Sequence, residues 1–222
     1  MRGQRQSGEA KRLAVERAFL TTLMIDADAA IRRFRDPEND IQQARRELVR
    51  SVHATIDGVV WAFREHVRSS AREMDMLTAA EEAVLSETSF QVNERGMISA
   101  QTRYLPLLGA VRLAARIATK INSNFTPDFG GSDWRGFIEA VATRNRLTHP
   151  KTISDLEVTD EEANQVIGSF FWLLEMAVAA MESSNEAVRN YTKEFSEIIH
   201  GIKVGDPNVI AEYRNALRSP EI

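Results

Sequence analysis

Apolar residues recur along most of this chain at every third or fourth position, the spacing that lines one side of an α-helix. Val15, Phe19, Leu23, Ala27, Ile31 and Phe34 follow it and predict a first helix from about Lys11 to Phe34. Asp36-Pro37-Glu38-Asn39-Asp40 ends that helix, since proline cannot continue one. Ile41, Ala44, Leu48, Val52, Ile56, Val59, Phe63 and Val67 then predict a second, long helix. Together the two form an antiparallel helical hairpin over residues 1–70.

Thr78 to Glu87 predicts a short third helix. The pattern then changes. Ser89-Phe90-Gln91-Val92-Asn93 alternates, and Glu94-Arg95-Gly96 supplies a turn before Met97-Ile98, so a small β-hairpin is expected near residues 89–98. Helix returns from Tyr104 to Ile121, with Leu105, Leu108, Val111, Ala115 and Ala118 on one face and Pro106 in the first turn. A loop rich in Asn, Pro and Gly covers Asn122 to Ser132. Ser132 or Asp133 is expected to cap the next helix, whose inner face carries Trp134, Phe137, Ile138 and Val141. Pro150 disfavours helical backbone at His149, which should therefore leave the helix at its C-terminal end.

Thr159-Asp160-Glu161-Glu162 has the form of a capping box. The helix it opens is apolar nearly all round (Val166, Ile167, Phe170, Phe171, Leu173, Leu174, Val178) and is expected at the centre of the domain. Val188, Tyr191, Phe195 and Ile198 continue the helical pattern, and Gly201 and Gly205 mark a break. Asp206-Pro207 then opens a last helix through Val209, Ile210, Tyr213 and Leu217. The predicted fold is an all-α helical bundle, residues 1–222 forming a single domain whose residues 100–200 are its second part.

Hydrophobic residues make up 43% and charged residues 27% of the 222 positions, as in an ordinary globular protein. The formal net charge of −4 argues against a broad basic face for duplex DNA. The absence of cysteine excludes disulfides, thiolate metal sites and a cysteine nucleophile. Met1 to Lys11 is polar and is followed by no apolar signal region, and Val166 to Met181 is short for a membrane span and interrupted by Glu175. A cytoplasmic protein with no membrane association is the expectation.

Several small motifs carry little. His53 and Asp57, four apart, lack a third metal ligand and read as a surface pair; Glu65-His66 reads the same way. Asp128-Phe129-Gly130-Gly131 is not a phosphate loop, having no following Lys-Ser/Thr. His200 reads as a structural group near a helix end. Trp61, Trp134 and Trp172 fall on apolar faces and read as core, while Arg32-Arg33 and Arg45-Arg46 read as solvated faces. No cofactor and no metal are expected.

The informative stretch is Arg144-Asn145-Arg146-Leu147-Thr148-His149-Pro150-Lys151. From Arg135 to Lys151 four basic residues face one acidic residue, Glu139, a local reversal of the chain's charge that suits a small anion site. Histidine is the natural proton-transfer group near neutral pH, and arginine the natural clamp on phosphate oxygens. His149 is thus a candidate acid or base and Arg144 a candidate phosphate ligand, with Asn145 as a further hydrogen-bonding group. Arg146, Thr148, Lys151 and Arg135 are candidates to flank a phosphate-bearing substrate. The bland alternative is that Arg144 and His149 only finish a helix.

This string resembles the Arg-x4-His motif of the HEPN family, including its polar residue after the arginine and proline after the histidine. The similarity covers about Trp134 to Met181. It implies that residues 100–200 are an HEPN-like core carrying the motif, acting as a metal-independent endoribonuclease that cuts RNA by 2′-hydroxyl attack. In that family the cleft is composite, with the motifs of two chains facing each other, so a homodimer is implied here. Such domains commonly serve as toxins or in phage defence, which implies RNA as substrate and an antitoxin or regulatory protein as partner. Lys151 stands where some HEPN toxins carry a tyrosine that is modified by a partner enzyme, so that route of silencing is not implied. A non-catalytic HEPN-like module that binds RNA, nucleotide or protein through the same cleft is the second expectation.

Overall fold

A computed structural model describes the chain from residue 2 to residue 218, without the side chains of residues 2–14, 16, 216 and 217. The side chain of Leu217, predicted to line the last helix, lies outside the described residues. Seven α-helices and one two-stranded sheet are found among the described residues. The predicted all-α bundle with a small hairpin is therefore the fold observed.

Helices α1 (Arg2–Arg35) and α2 (Ile41–Glu73) form the expected hairpin. Asp40 caps α2 by accepting the Gln43 N–H at 2.9 Å. Thr78 caps the short α3 (Ala79–Leu85) through a complete capping box with Glu81. Strands β1 (Thr88–Val92) and β2 (Ile98–Thr102) pair antiparallel, Phe90 opposite Ala100, so the hairpin extends four residues beyond the predicted stretch. Helix α4 (Leu107–Ile121) starts later than predicted, because Pro106 serves as its N-cap residue and not as part of its first turn. Helices α5 (Ser132–Thr148), α6 (Asp160–Val204) and α7 (Pro207–Arg218) complete the order.

One hydrophobic core joins α1, α2, α4, α5 and α6. Its centre is α2, whose Leu48, Val52, Ile56, Phe63 and Val67 are fully enclosed. This corrects the expectation for α6: its first half packs on α2, α4 and α5, but Phe171 and Val178 remain 48% and 46% exposed. An all-round apolar sequence need not mean all-round burial when neighbours cover only one flank. Among the described residues, α6 is the one helix long and apolar enough to cross a membrane, and 44% of its most apolar window is buried in the bundle.

Thr159 opens α6 with the predicted capping box, accepting the Glu162 N–H at 3.1 Å while Glu162 accepts the Thr159 N–H at 3.0 Å. The helix runs through the expected break at Gly201 and stops only at Gly205, which takes a left-handed conformation (φ 77°). Gly201 instead serves packing: a Cβ there would lie within 3.0 Å of Val209 Cβ, so glycine lets α7 fold back onto α6. Asp206 caps α7 by accepting the Asn208 N–H at 2.9 Å.

Candidate active site

The Arg144–His149 stretch is carried on the last turn of α5. The N-cap of that helix is Gly131, so neither Ser132 nor Asp133 caps it. The Asp128 carboxylate holds the entry, accepting the N–H groups of Gly130 and Gly131 at 2.7 and 3.0 Å. At the other end Thr148 is the last helical residue and His149 the C-cap, with φ −127° and ψ 56°. Pro150 thus terminates the helix where its ring requires. The His149 N–H donates to the Asn145 carbonyl at 3.1 Å, and the Thr148 hydroxyl donates to the Arg144 carbonyl at 2.8 Å. The imidazole of His149 is left exposed.

Arg144 reaches across to α2. Its Nη2 donates to Asp57 Oδ2 at 3.2 Å, and its Nη1 donates to the side-chain oxygen of Asn145, also at 3.2 Å. The Arg144 side chain is 37% exposed and that of Asp57 47%. Burial pushes the Asp57 carboxyl above the usual aspartate range, and the Arg144 charge works against that rise. One turn back on α2, His53 is buried, its Nδ1–H donating to the Val49 carbonyl at 3.0 Å while Nε2 has no partner. Burial first, with the Arg144 charge in support, lowers its pKa to about 4. His53 and Asp57 are therefore not the predicted surface pair. One is a buried neutral imidazole and the other is the counter-ion of Arg144. Among the described residues no three His, Asp or Glu side chains gather as a metal site.

Arg144 and Asn145 line a cleft of about 640 Å³ between α2, α5 and the segment entering α4. Asp57, Trp61 and Arg64 line it from α2, and Tyr104 from the α4 approach. The other predicted site residues lie elsewhere. Arg146 points toward the loop after the helix, where its Nη1 donates to the carbonyls of Ser154, Asp155 and Glu157 (3.2, 3.3 and 2.7 Å) and its Nη2 to Glu162 at 2.6 Å. Its guanidinium closes the 150s loop onto the start of α6, so its donors are not free to flank RNA. Arg135 is nine residues from Arg144, about 13 Å along the helix axis and half a turn around it; it donates to the Gly130 carbonyl at 3.0 Å. Lys151 is exposed, and its backbone N–H donates to Asp155.

The +3 segment read from Arg135 to Lys151 is consequently not a +3 patch, because Asp57 from α2 and Glu162 from the start of α6 bring compensating charge. The Arg45-Arg46 pair is likewise not a solvated face. Arg45 donates to the Val158 carbonyl and pairs with Asp160 at 2.6 Å, and Arg46 donates to the Leu156 carbonyl. Arg32 and Arg33, by contrast, do form a solvated face, 72% and 61% exposed, while pairing with Asp28 and Glu47.

Asp57, Trp61 and Tyr104 were not singled out as site residues by sequence reasoning. The signal for the first two was there: His53, Asp57 and Trp61 follow at intervals of four, one row on a helix. Trp61 is 37% exposed and lies edge-on to Phe19 at 5.8 Å, unlike Trp134, which the core encloses as expected. Comparisons with protein-family profiles, with curated protein sequences and with solved structures each give no match.

Proposed function

We propose that the protein is a metal-independent endoribonuclease of the HEPN type, active as a homodimer. The observation that carries the reading is the placement of Arg144: part-exposed, lining a cleft, and held by a hydrogen bond to Asn145 and one 3.2 Å ion pair, to Asp57, that a phosphate could replace. His149 stands exposed at the C-cap of the same helix. In the proposed reaction the ribose 2′-oxygen attacks phosphorus, one His149 taking the 2′-OH proton. The bond to the 5′-oxygen breaks, and His149 of the partner subunit donates a proton to that leaving oxygen. The products are a 2′,3′-cyclic phosphate and a 5′-hydroxyl. Arg144 neutralises the charge growing on the phosphate. One chain offers one such Arg and His, whereas the reaction needs two proton transfers; this favours a site shared by two chains. RNA is then the substrate, and a role as toxin or phage-defence effector, controlled by an antitoxin or regulator, follows from the resemblance.

A second reading is a non-catalytic module that binds RNA, nucleotide or protein. It is favoured by one observation: His149 is not among the residues lining the cleft that holds Arg144. Incubation of a mixed RNA in EDTA with wild type, Arg144→Ala and His149→Ala separates the two. The nuclease reading expects wild-type cleavage and a loss of about 10²–10⁴-fold in His149→Ala, the range of positioned acid–base catalysis. RNA binding without cleavage by a folded wild-type dimer would favour the module.

A further inference from the structure

We propose that the cleft beside Arg144 is a nucleobase subsite, which takes one unpaired RNA base next to the phosphate held by that arginine. The inference rests on reading Arg144 as a phosphate ligand. Four features carry it.

The cleft's volume, about 640 Å³, falls within the range of small-molecule sites, roughly 300–1,000 Å³. Two aromatic side chains from different elements line it, Trp61 on α2 and Tyr104 ahead of α4, and both are exposed, Tyr104 at 80%. Exposed aromatics in a groove provide π-faces on which any base can stack, without selecting its sequence.

The third feature is polar. Arg64 lines the cleft with more than nine-tenths of its side chain buried, and its Nε–H has no hydrogen-bond partner. That nitrogen is itself enclosed by protein, so Arg64 gives the cleft a fixed polar wall and not a donor open to the base. Arg64 is held in place by Glu87 at 2.7 Å, and Glu87 also accepts the Leu105 N–H at 3.1 Å. Glu87 adopts φ 52°, uncommon for a residue with a side chain, and these contacts hold it there.

The fourth is charge. Inside the cleft Arg64 is balanced by Glu87, and Arg144 by Asp57. The first pair is buried and close, the second part-exposed and longer. A neutral base suits the interior, and the phosphate suits the Arg144 end, where an anion can compete with Asp57.

The test is binding of adenosine 3′-monophosphate, with inorganic phosphate as the control, followed by chemical-shift perturbation in the full-length protein. The nucleotide is expected to bind at least tenfold tighter than phosphate. Trp61→Ala should weaken the nucleotide at least fivefold and leave phosphate unchanged, while Trp61→Phe retains most of the affinity. Tyr104→Ala, an exposed substitution with no core consequence, should act in the same direction. Nucleotide binding no tighter than phosphate, or nucleotide affinity unchanged from wild type in folded Trp61→Ala and Tyr104→Ala, would overturn the proposal. The measurement is made without turnover and can be repeated in His149→Ala. Nucleotide binding with no RNA cleavage would therefore support the subsite while ending the nuclease reading, and cleavage with no preference for nucleotide would do the reverse.

Discussion

Arg144 near the end of α5 and Asp57 in the middle of α2 meet at 3.2 Å, so the most informative arginine of the chain is paired with a carboxylate 87 residues earlier. Both groups are part-exposed, and such a pair contributes about 1 kcal/mol or less to stability. Asp57→Asn is therefore expected to leave urea unfolding almost unchanged. It should also strengthen RNA binding several-fold at fixed salt, because the competing anion is gone. Weaker binding by the folded variant would show that Asp57 orients Arg144 instead of competing for it.

Arg146 should behave in the opposite way. Its contacts to three carbonyls and Glu162 tie the loop after α5 to α6, and hydrogen bonds of a charged group contribute more than neutral ones. Arg146→Ala is expected to destabilise the fold by about 2 kcal/mol, whereas Lys151→Ala, exposed and without a role in the loop, should shift stability by less than about 0.5 kcal/mol. Equal effects in denaturant unfolding would contradict the distinction.

The buried His53 makes stability depend on pH. Its pKa falls from the ordinary 6.5 to about 4 on folding, so the unfolded chain binds the proton more readily between those values. The stabilisation associated with neutral His53 is complete above about pH 6.5 and is lost as the pH falls toward 4. At 1.36 kcal/mol per unit the loss is on the order of 3 kcal/mol. His66, also lowered by burial, acts in the same direction. Unfolding free energy measured from pH 7 to 4 should fall more steeply in wild type than in His53→Gln; parallel curves would refute the assignment.

Gly201 permits the close approach of α7 to α6. Gly201→Leu is expected to undock α7 and speed hydrogen exchange of its amides while leaving the main thermal transition in place, since α7 lies outside the central core. Unchanged exchange in α7 would show that the contact with Val209 does not hold it.

Most of the fold was legible because it depends on local rules. The 3–4 spacing located the helices, Thr159 and Glu162 announced the start of α6, and Pro150 fixed where α5 ends. Errors arose where a distant segment decides the outcome. The exposure of Phe171 depends on which neighbours α6 lacks; the late start of α4 is a local miss, Pro106 taking the N-cap position immediately before the helix. The site was half legible. Arg144 and Asn145 line a cleft and His149 leaves its helix as read, yet Asp57 pairs with Arg144 from 87 residues away, and Glu162 and the carbonyls of the following loop fold back onto Arg146. A local count of charge cannot include partners that only folding supplies.

The most direct test of the proposed chemistry is the end group of RNA fragments formed in EDTA by wild type and by His149→Ala. Fragments ending in 2′,3′-cyclic phosphate, formed by wild type and lost with the histidine, are the expected result. Fragments ending in a 3′-hydroxyl, or cleavage undiminished in His149→Ala, would contradict 2′-hydroxyl attack assisted by His149.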